Sequence, residues 1–220
     1  MTPPVGALAL GALLGYALGA VPVGVLATRL LRAPDVRGVG SGHTGGTNVV
    51  RATGKVWVGA LTGVLDGALA AGAVMLARAL WPASPWPAAA AGAAAVWGHN
   101  WSVYIGLRGG VGLSSTAGML LALAPLQTLG ALVTAILVWA GARRLLGHDA
   151  RSTAATMAVA PLLLALFGQP REGILAGILA ALAVIAKALQ DWRRTYRRGE
   201  TFTQQFLGRD GSAGPPAGRD

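Results

Sequence analysis

The chain has 220 residues, 54% of them hydrophobic and 12% charged, with a mean hydropathy of +0.56 and a formal net charge of +10. Soluble domains carry roughly 25% charged residues, so half that share leaves too little polar surface to coat a water-soluble globule. That all but excludes a soluble enzyme and a disordered chain, and with no cysteine there is no disulfide scaffold.

The expected class is an all-α, polytopic membrane helix bundle. A bilayer span takes about 20 apolar residues, and seven apolar segments follow in chain order, at about 5–28, 56–80, 88–106, 112–124, 126–142, 153–168 and 173–190. Met1 to Ala7 holds no Lys or Arg, and the apolar run reaches about Leu31, too long for a signal-peptide core, so the first segment reads as a retained span. Pro125 separates the fourth and fifth segments; in a six-span alternative it kinks one long helix instead. Alanine and glycine populate every segment, which predicts close helix crossings.

Charge sets the orientation. With the N-terminus outside, the inner loops and tail hold Arg29, Arg32, Arg37, Arg51, Lys55, Arg108, Arg143, Arg144, Arg151, Arg193, Arg194, Arg197, Arg198, Arg209 and Arg219. Only Arg171 falls outside, while Arg78 and Lys187 lie near span ends, where long side chains snorkel to the headgroups. This bias predicts N-terminus out and C-terminus in. It accounts for the basic excess through anionic lipid, with no nucleic acid. Residues 1–207 are expected to form a single transmembrane domain with a site at the cytoplasmic face, and the Gly/Pro/Asp/Arg-rich 208–220 a disordered cytoplasmic tail.

Two inner turns concentrate polar chemistry. Residues 38–51 interleave glycines, Gly40 and Gly42 among them, with Ser41, His43, Thr44, Thr47 and Asn48, and end on Arg51. Successive backbone N–H groups in such a segment form an anion nest. A helix starting near Thr47 places Arg51 one turn in, able to reach back to an anion at that N-terminus. The spacing is not that of a Walker A loop. Residues 98–116 repeat the theme with His99, Arg108, Ser114, Ser115 and Thr116. Asp66, mid-span in the second segment, is expected to face the bundle interior and meet an Arg or donate as a neutral acid. Arg151, Ser152 and Thr153 open the sixth segment, read in isolation as a cap with an interfacial Arg. With only three histidines and no His–carboxylate cluster, no metal site is expected. Two Arg-bearing nests on one side fit a phosphate better than a carboxylate, and the apolar helices beneath fit a ligand with a fatty end.

Tyr16-Ala-Leu-Gly-Ala-Val-Pro-Val-Gly24, Gly40-Ser-Gly-His-Thr-Gly-Gly-Thr-Asn-Val-Val-Arg51, Gly98-His-Asn-Trp101 and Arg108-Gly-Gly-Val-Gly112 resemble the bacterial acyl-phosphate:glycerol-3-phosphate acyltransferase (PlsY-type) family over roughly residues 8–200. Pro22 and Asp66-Gly67 agree as well. The resemblance implies a seven-span enzyme of the bacterial inner membrane, embedded in membrane lipid. Its 1-hydroxyl acceptor is glycerol-3-phosphate and its donor a fatty acyl phosphate; lysophosphatidic acid, for phospholipid biosynthesis, and inorganic phosphate are the products. An acyl phosphate is already activated, so the resemblance implies no metal, cofactor or covalent intermediate, and leaves positioning and charge stabilisation to the protein. Carried over by position, Ser41, Arg51, His99 and Arg108 are the catalytic candidates. The phosphate is expected on Gly40, Ser41, Gly42, Thr47, Asn48, Arg51, Arg108 and Ser152.

Departures from the pattern are specific. Arg108 replaces the first lysine of the second motif and Val111 the second; Ala154 and Ala155 stand where serines are common. Anchoring on Gly199-Glu200 puts Trp192 at the place of an asparagine. These departures leave open a substrate-shifted or non-catalytic member that binds a phosphate-bearing lipid or precursor. An anion transporter is a third reading, disfavoured by the absence of an internal repeat and of polar residues in the outer half.

Overall fold

The structure, a computed structural model, describes residues 5–193. The expected tail 208–220, Trp192's anchor Gly199-Glu200 and the basic residues from Arg194 onward lie outside the described residues. Among those described, nine α-helices follow in chain order: α1 (Val5–Gly19), α2 (Val23–Leu30), α3 (Gly46–Thr53), α4 (Val56–Leu80), α5 (Trp86–Asn100), α6 (Leu113–Leu123), α7 (Pro125–Leu146), α8 (Asp149–Leu166) and α9 (Arg171–Gln190). The fold is all-α. Four segments are long and apolar enough to cross a membrane: Val5–Leu30, Val56–Leu80, Pro125–Leu146 and Arg171–Gln190.

Small residues do what their distribution predicts. Gly11, Gly15 and Gly19 of α1 lie against the backbone of Pro87, Ala91 and Ala95 of α5, so these helices run parallel and cross with their main chains in contact. Gly67 of α4 meets Gly118 of α6 in the same way. Leu, Val, Met and Trp side chains point outward in number, among them Leu13, Trp57, Val64, Met75, Leu137 and Leu166. The buried core instead is rich in alanine and valine. That inversion suits a bundle with lipid as its outer solvent.

Helix ends sort into two sets. At one end, Tyr16 Oη donates to the Trp101 carbonyl (2.5 Å), Ser102 Oγ to the Ala20 carbonyl (2.5 Å), and Arg151 approaches Trp192. At the other, Arg78 donates to the carbonyls of Ala122 and Leu123 (both 2.7 Å), and Gln169 Nε2 to Thr128 Oγ1 (2.7 Å). Arg78 thus satisfies the open C-terminal carbonyls of α6 as well as lying near a span end.

Two boundaries differ from the sequence reading. The third segment stops at Asn100, not 106: Ser102 pairs with Arg108 in an antiparallel bridge, and Gly106 takes a positive φ (+70°), so 101–112 fold as a turn. The sixth starts at Asp149, not 153. His148 is its N-cap, the ring accepting from the Arg151 N–H (3.3 Å), with Asp149 favourably placed in the first turn. A polar opening turn carries no apolar signal, which hid this start. The proline break between the fourth and fifth segments stands as expected, α6 ending at Leu123 and α7 starting on Pro125.

Candidate active site

The first glycine-rich turn is held by side chains. Asn48, 2% exposed on α3, is its hub: Nδ2 donates to Ser41 Oγ (2.9 Å) and to the His43 carbonyl (2.8 Å), and Oδ1 accepts from Arg51 (2.8 Å). Arg51 therefore does fold back toward the helix start, as its spacing predicts. Gly40 (φ +59°) packs onto Asn48 Oδ1 and Arg51; an L side chain there would be strained and would collide with the hub. Thr47 stands exposed in the first turn of α3. Thr44 is buried, and its N–H reaches the Gly109 carbonyl (3.3 Å), joining the first turn to the second.

The second turn is held by backbone. The Ser102 N–H donates to Arg108 (3.0 Å), the Leu107 N–H to Ser102 (2.8 Å) and the Gly110 N–H to His99 (3.1 Å). Gly109 lies on the carbonyls of His99 and Asn100, and Gly110 on the edge of the His99 ring at Nε2, where a Cβ has no room. Arg108 is exposed. Val111 packs against the apolar core rather than toward solvent.

His99 (7% exposed) and Asp66 (4% exposed) approach within 3.5 Å, Nδ1 to Oδ1. Asp66 thus faces the interior, but its partner is a histidine and not the Arg considered from sequence. A second pair, His43 Nε2 with Asp191 Oδ2 (2.9 Å), ties the first turn to the end of α9. Both carboxylates are remote in sequence from their histidines, so neither pair was legible there. It is Asp191, one position before Trp192, that reaches this turn. Trp192 is instead covered by Arg151, whose guanidinium lies 5.3 Å from the ring centre and donates to the Trp192 carbonyl (3.4 Å).

Ser152 is fully buried and donates to the His148 carbonyl (2.8 Å), the bond of a helix hydroxyl with its own preceding turn. Among the described residues no hydrogen bond joins it to the first turn. Lys187, read as a snorkelling residue, is 4% exposed with Nζ 5.1 Å from the ring centre of Trp101. It stays inside the bundle because that indole face receives it.

An apolar groove of about 270 Å³ opens between α6, α7 and α8, lined by Leu113, Leu120, Trp139, Met157 and Leu164 among others. Its hydroxyls are occupied: Thr116 donates to Gly112, Thr128 to Leu120 and Ala124, Thr156 to Ser152, and Thr153 accepts from Trp139. The wall left over is hydrocarbon. Leu113 and Thr116 place one end of it beside the second turn.

Comparison with known proteins bears on this arrangement. The family model described as glycerol-3-phosphate acyltransferase matches residues 9–198. The glycerol-3-phosphate acyltransferase of Rubrobacter xylanophilus is 39% identical over 202 residues, 92% of this chain and 96% of that one. The protein of the same name from Methylorubrum extorquens is 37% identical, over 90% and 92%. Among solved structures, PlsY, an integral membrane glycerol 3-phosphate acyltransferase, matches in its glycerol 3-phosphate form with a TM-score of 0.71 at 27% identity, covering 86% of this chain and 92% of that chain. Its lysophosphatidic acid form matches with a TM-score of 0.69 at 26% identity, over 86% and 91%. The two turns, the paired histidines and the all-α frame accordingly lie in a multi-pass membrane protein, and the chain belongs to the glycerol-3-phosphate acyltransferase family.

Proposed function

We propose that this chain transfers a fatty acyl group from an acyl phosphate to the 1-hydroxyl of glycerol-3-phosphate, giving lysophosphatidic acid and inorganic phosphate at the cytoplasmic face of a bacterial inner membrane. One observation carries this reading: two glycine-rich turns, each bearing an arginine, are joined through Thr44 and Gly109 beside a buried His99–Asp66 pair.

Each part has a role. The Gly40–Gly42 nest with Ser41, Asn48 and Arg51 binds a phosphate through backbone N–H groups and a guanidinium. Thr47 adds a hydroxyl from the first turn of α3, and Arg108 a second cation from the neighbouring turn. Asp66 orients the His99 ring, and Nε2, on the side of the 109–112 turn, takes the proton of the attacking hydroxyl. The hydroxyl oxygen bonds to the acyl carbon, the bond from that carbon to the phosphate oxygen breaks, and phosphate leaves with its electron pair. Arginine charge at the site stabilises the developing negative oxygens. The groove between α6, α7 and α8 takes the acyl chain, since its hydroxyls are already bonded and its wall is apolar. Ser152 is assigned a supporting place in α8, through its bond to His148.

Orientation follows the charge count. Both turns, the start of α8 and the end of α9 share one end of the bundle, which is the end rich in Arg; the positive-inside bias makes it cytoplasmic. Counting Val5–Leu30 as one crossing and α4 to α9 as six more gives seven, N-terminus out, within a single transmembrane domain.

Purified protein in vesicles, supplied with palmitoyl phosphate and glycerol-3-phosphate, tests the reading by phosphate release and lysophosphatidic acid formation. Removing a charge that holds phosphate costs about 2–5 kcal/mol, so Arg51→Ala is expected to lose roughly thirtyfold or more of kcat/KM. Folded wild-type protein that forms no lysophosphatidic acid overturns it in favour of the phosphate-binding alternative.

A further inference from the structure

Lys187 is a buried lysine that has an indole face beside it but, among the described residues, no anionic partner. Lysine occurs twice, at Lys55 and Lys187, among the 18 basic residues. Lys55 is exposed ahead of α4. Lys187 sits in the last turn of α9, where a lysine ordinarily carries its ammonium outward along its own stem. Here the stem turns in. Nζ lies over the ring of Trp101 at the start of the second turn, and Asp191, one helical turn on, is bonded to His43 of the first.

Among the described residues, Lys187 has no carboxylate at ion-pair distance and no hydrogen bond. The carboxylate one turn on, Asp191, is bonded to His43 instead. An indole face offsets part of the cost of a desolvated ammonium and leaves the rest standing. The partner an ammonium calls for is an anion. His99 carries Gly110 on its ring edge, and Gly109 is bonded to Thr44 of the first turn. Lys187 thus lies on α9 between a contact with the second turn, at Trp101, and a tie to the first, through Asp191 and His43.

We propose that Lys187 is a further phosphate-binding residue of this site, its ammonium contacting the phosphate of a bound substrate between the two turns; the proposal rests on the acyltransferase reading. Both substrates carry a phosphate, the acceptor as a monoester and the donor as an acyl phosphate.

Two measurements test it. In wild-type protein labelled with 13C at lysine Cε, Lys55 and Lys187 give two signals, and Lys55 serves as internal reference. Saturating glycerol-3-phosphate, or inorganic phosphate in a second titration, is expected to move the Lys187 signal and leave Lys55 in place. In steady-state assays Lys187→Gln is expected to raise the KM of one substrate about tenfold or more, and Lys187→Arg, which keeps the charge, to restore it to within roughly threefold. A rise for glycerol-3-phosphate assigns the acceptor phosphate, and a rise for palmitoyl phosphate the donor. Both KM values within about twofold of wild type in folded Lys187→Gln overturn the proposal. If that variant does not fold, an unmoved Lys187 signal in the wild type overturns it. Wild-type protein that makes no lysophosphatidic acid overturns the acyltransferase reading instead, and the titration still reports on Lys187.

Discussion

The two glycine-rich turns do similar work by opposite means. In the first, side chains hold the geometry: Asn48 bonds Ser41, the His43 carbonyl and Arg51, and His43 is tied in turn to Asp191. In the second, the main chain holds it, through the Ser102–Arg108 bridge and the Gly110–His99 bond, and glycines admit the histidine. A side-chain network fails when a partner is deleted; a backbone turn fails when a side chain is added. Truncation is therefore the informative perturbation in the first turn, and enlargement in the second.

The largest effect is expected from enlargement. Gly110→Ala places a methyl against the His99 ring, and overpacking of this kind costs about 1–3 kcal/mol. Felt at the imidazole that the proposed mechanism uses as proton acceptor, it should lower kcat roughly tenfold to a hundredfold with KM for glycerol-3-phosphate little changed. An unchanged kcat would mean the turn yields at no cost, and the contrast with the first turn would collapse.

Truncation comes next. Asn48→Ala leaves Ser41, the His43 carbonyl and Arg51 without their common partner, worth about 1–2 kcal/mol, or roughly five- to thirtyfold in KM for glycerol-3-phosphate. Here KM should move more than kcat, the reverse of Gly110→Ala. Steady-state kinetics of the two variants side by side decides between them.

Ser152→Ala sharpens the picture from outside both turns. Its hydroxyl bonds its own helix, so kcat/KM should stay within about threefold of wild type. A loss as deep as that of Asn48→Ala would show Ser152 turning to the substrate on binding.

The smallest effect concerns Asp35, in the stretch leading to the first turn. Side-chain and backbone hydrogen bonds from Arg37 hold its carboxyl down at about 2, from an ordinary 3.8. With the folded value depressed, the stabilisation is complete above pH 4 and is lost as pH falls through about 2. The pair is largely exposed, so the gain is slight. A carboxyl titration followed by NMR should find Asp35 near 2 and back in the usual carboxylate range in Arg37→Ala.

Much of the site could be read in one dimension because its first turn is local. Gly40 and Arg51 are eleven residues apart, and a helix start near Thr47 with Arg51 one turn on follows from spacing alone. His99 and Arg108 are nine residues apart, joined by a turn. What escaped were the partners brought in by other helices: Asp66 from α4 to His99, Asp191 from α9 to His43, and Lys187 to Trp101. No local pattern encodes which face of α9 meets the turns. Arg78 and Lys187 both lie near span ends, yet Arg78 reaches carbonyls of α6 and Lys187 an indole face within the bundle.

Sequence by itself determined that the chain is all-α, that the fourth and fifth apolar segments break at Pro125, and which residues carry the two turns, because hydropathy, glycine and charge act over a few residues or a few turns of helix. The apolar-to-polar edges at Asn100 and Asp149 were misjudged for the same reason, since a bridge and a polar helix cap leave hydropathy unchanged. Only the tertiary structure decided that Asp191 rather than Trp192 meets the first turn, that Ser152 is bonded within its own helix, and that a lysine three residues from the end of α9 points inward. Those outcomes depend on how each helix is rotated about its axis. That rotation is set by glycine and alanine contacts between helices, which no single segment contains.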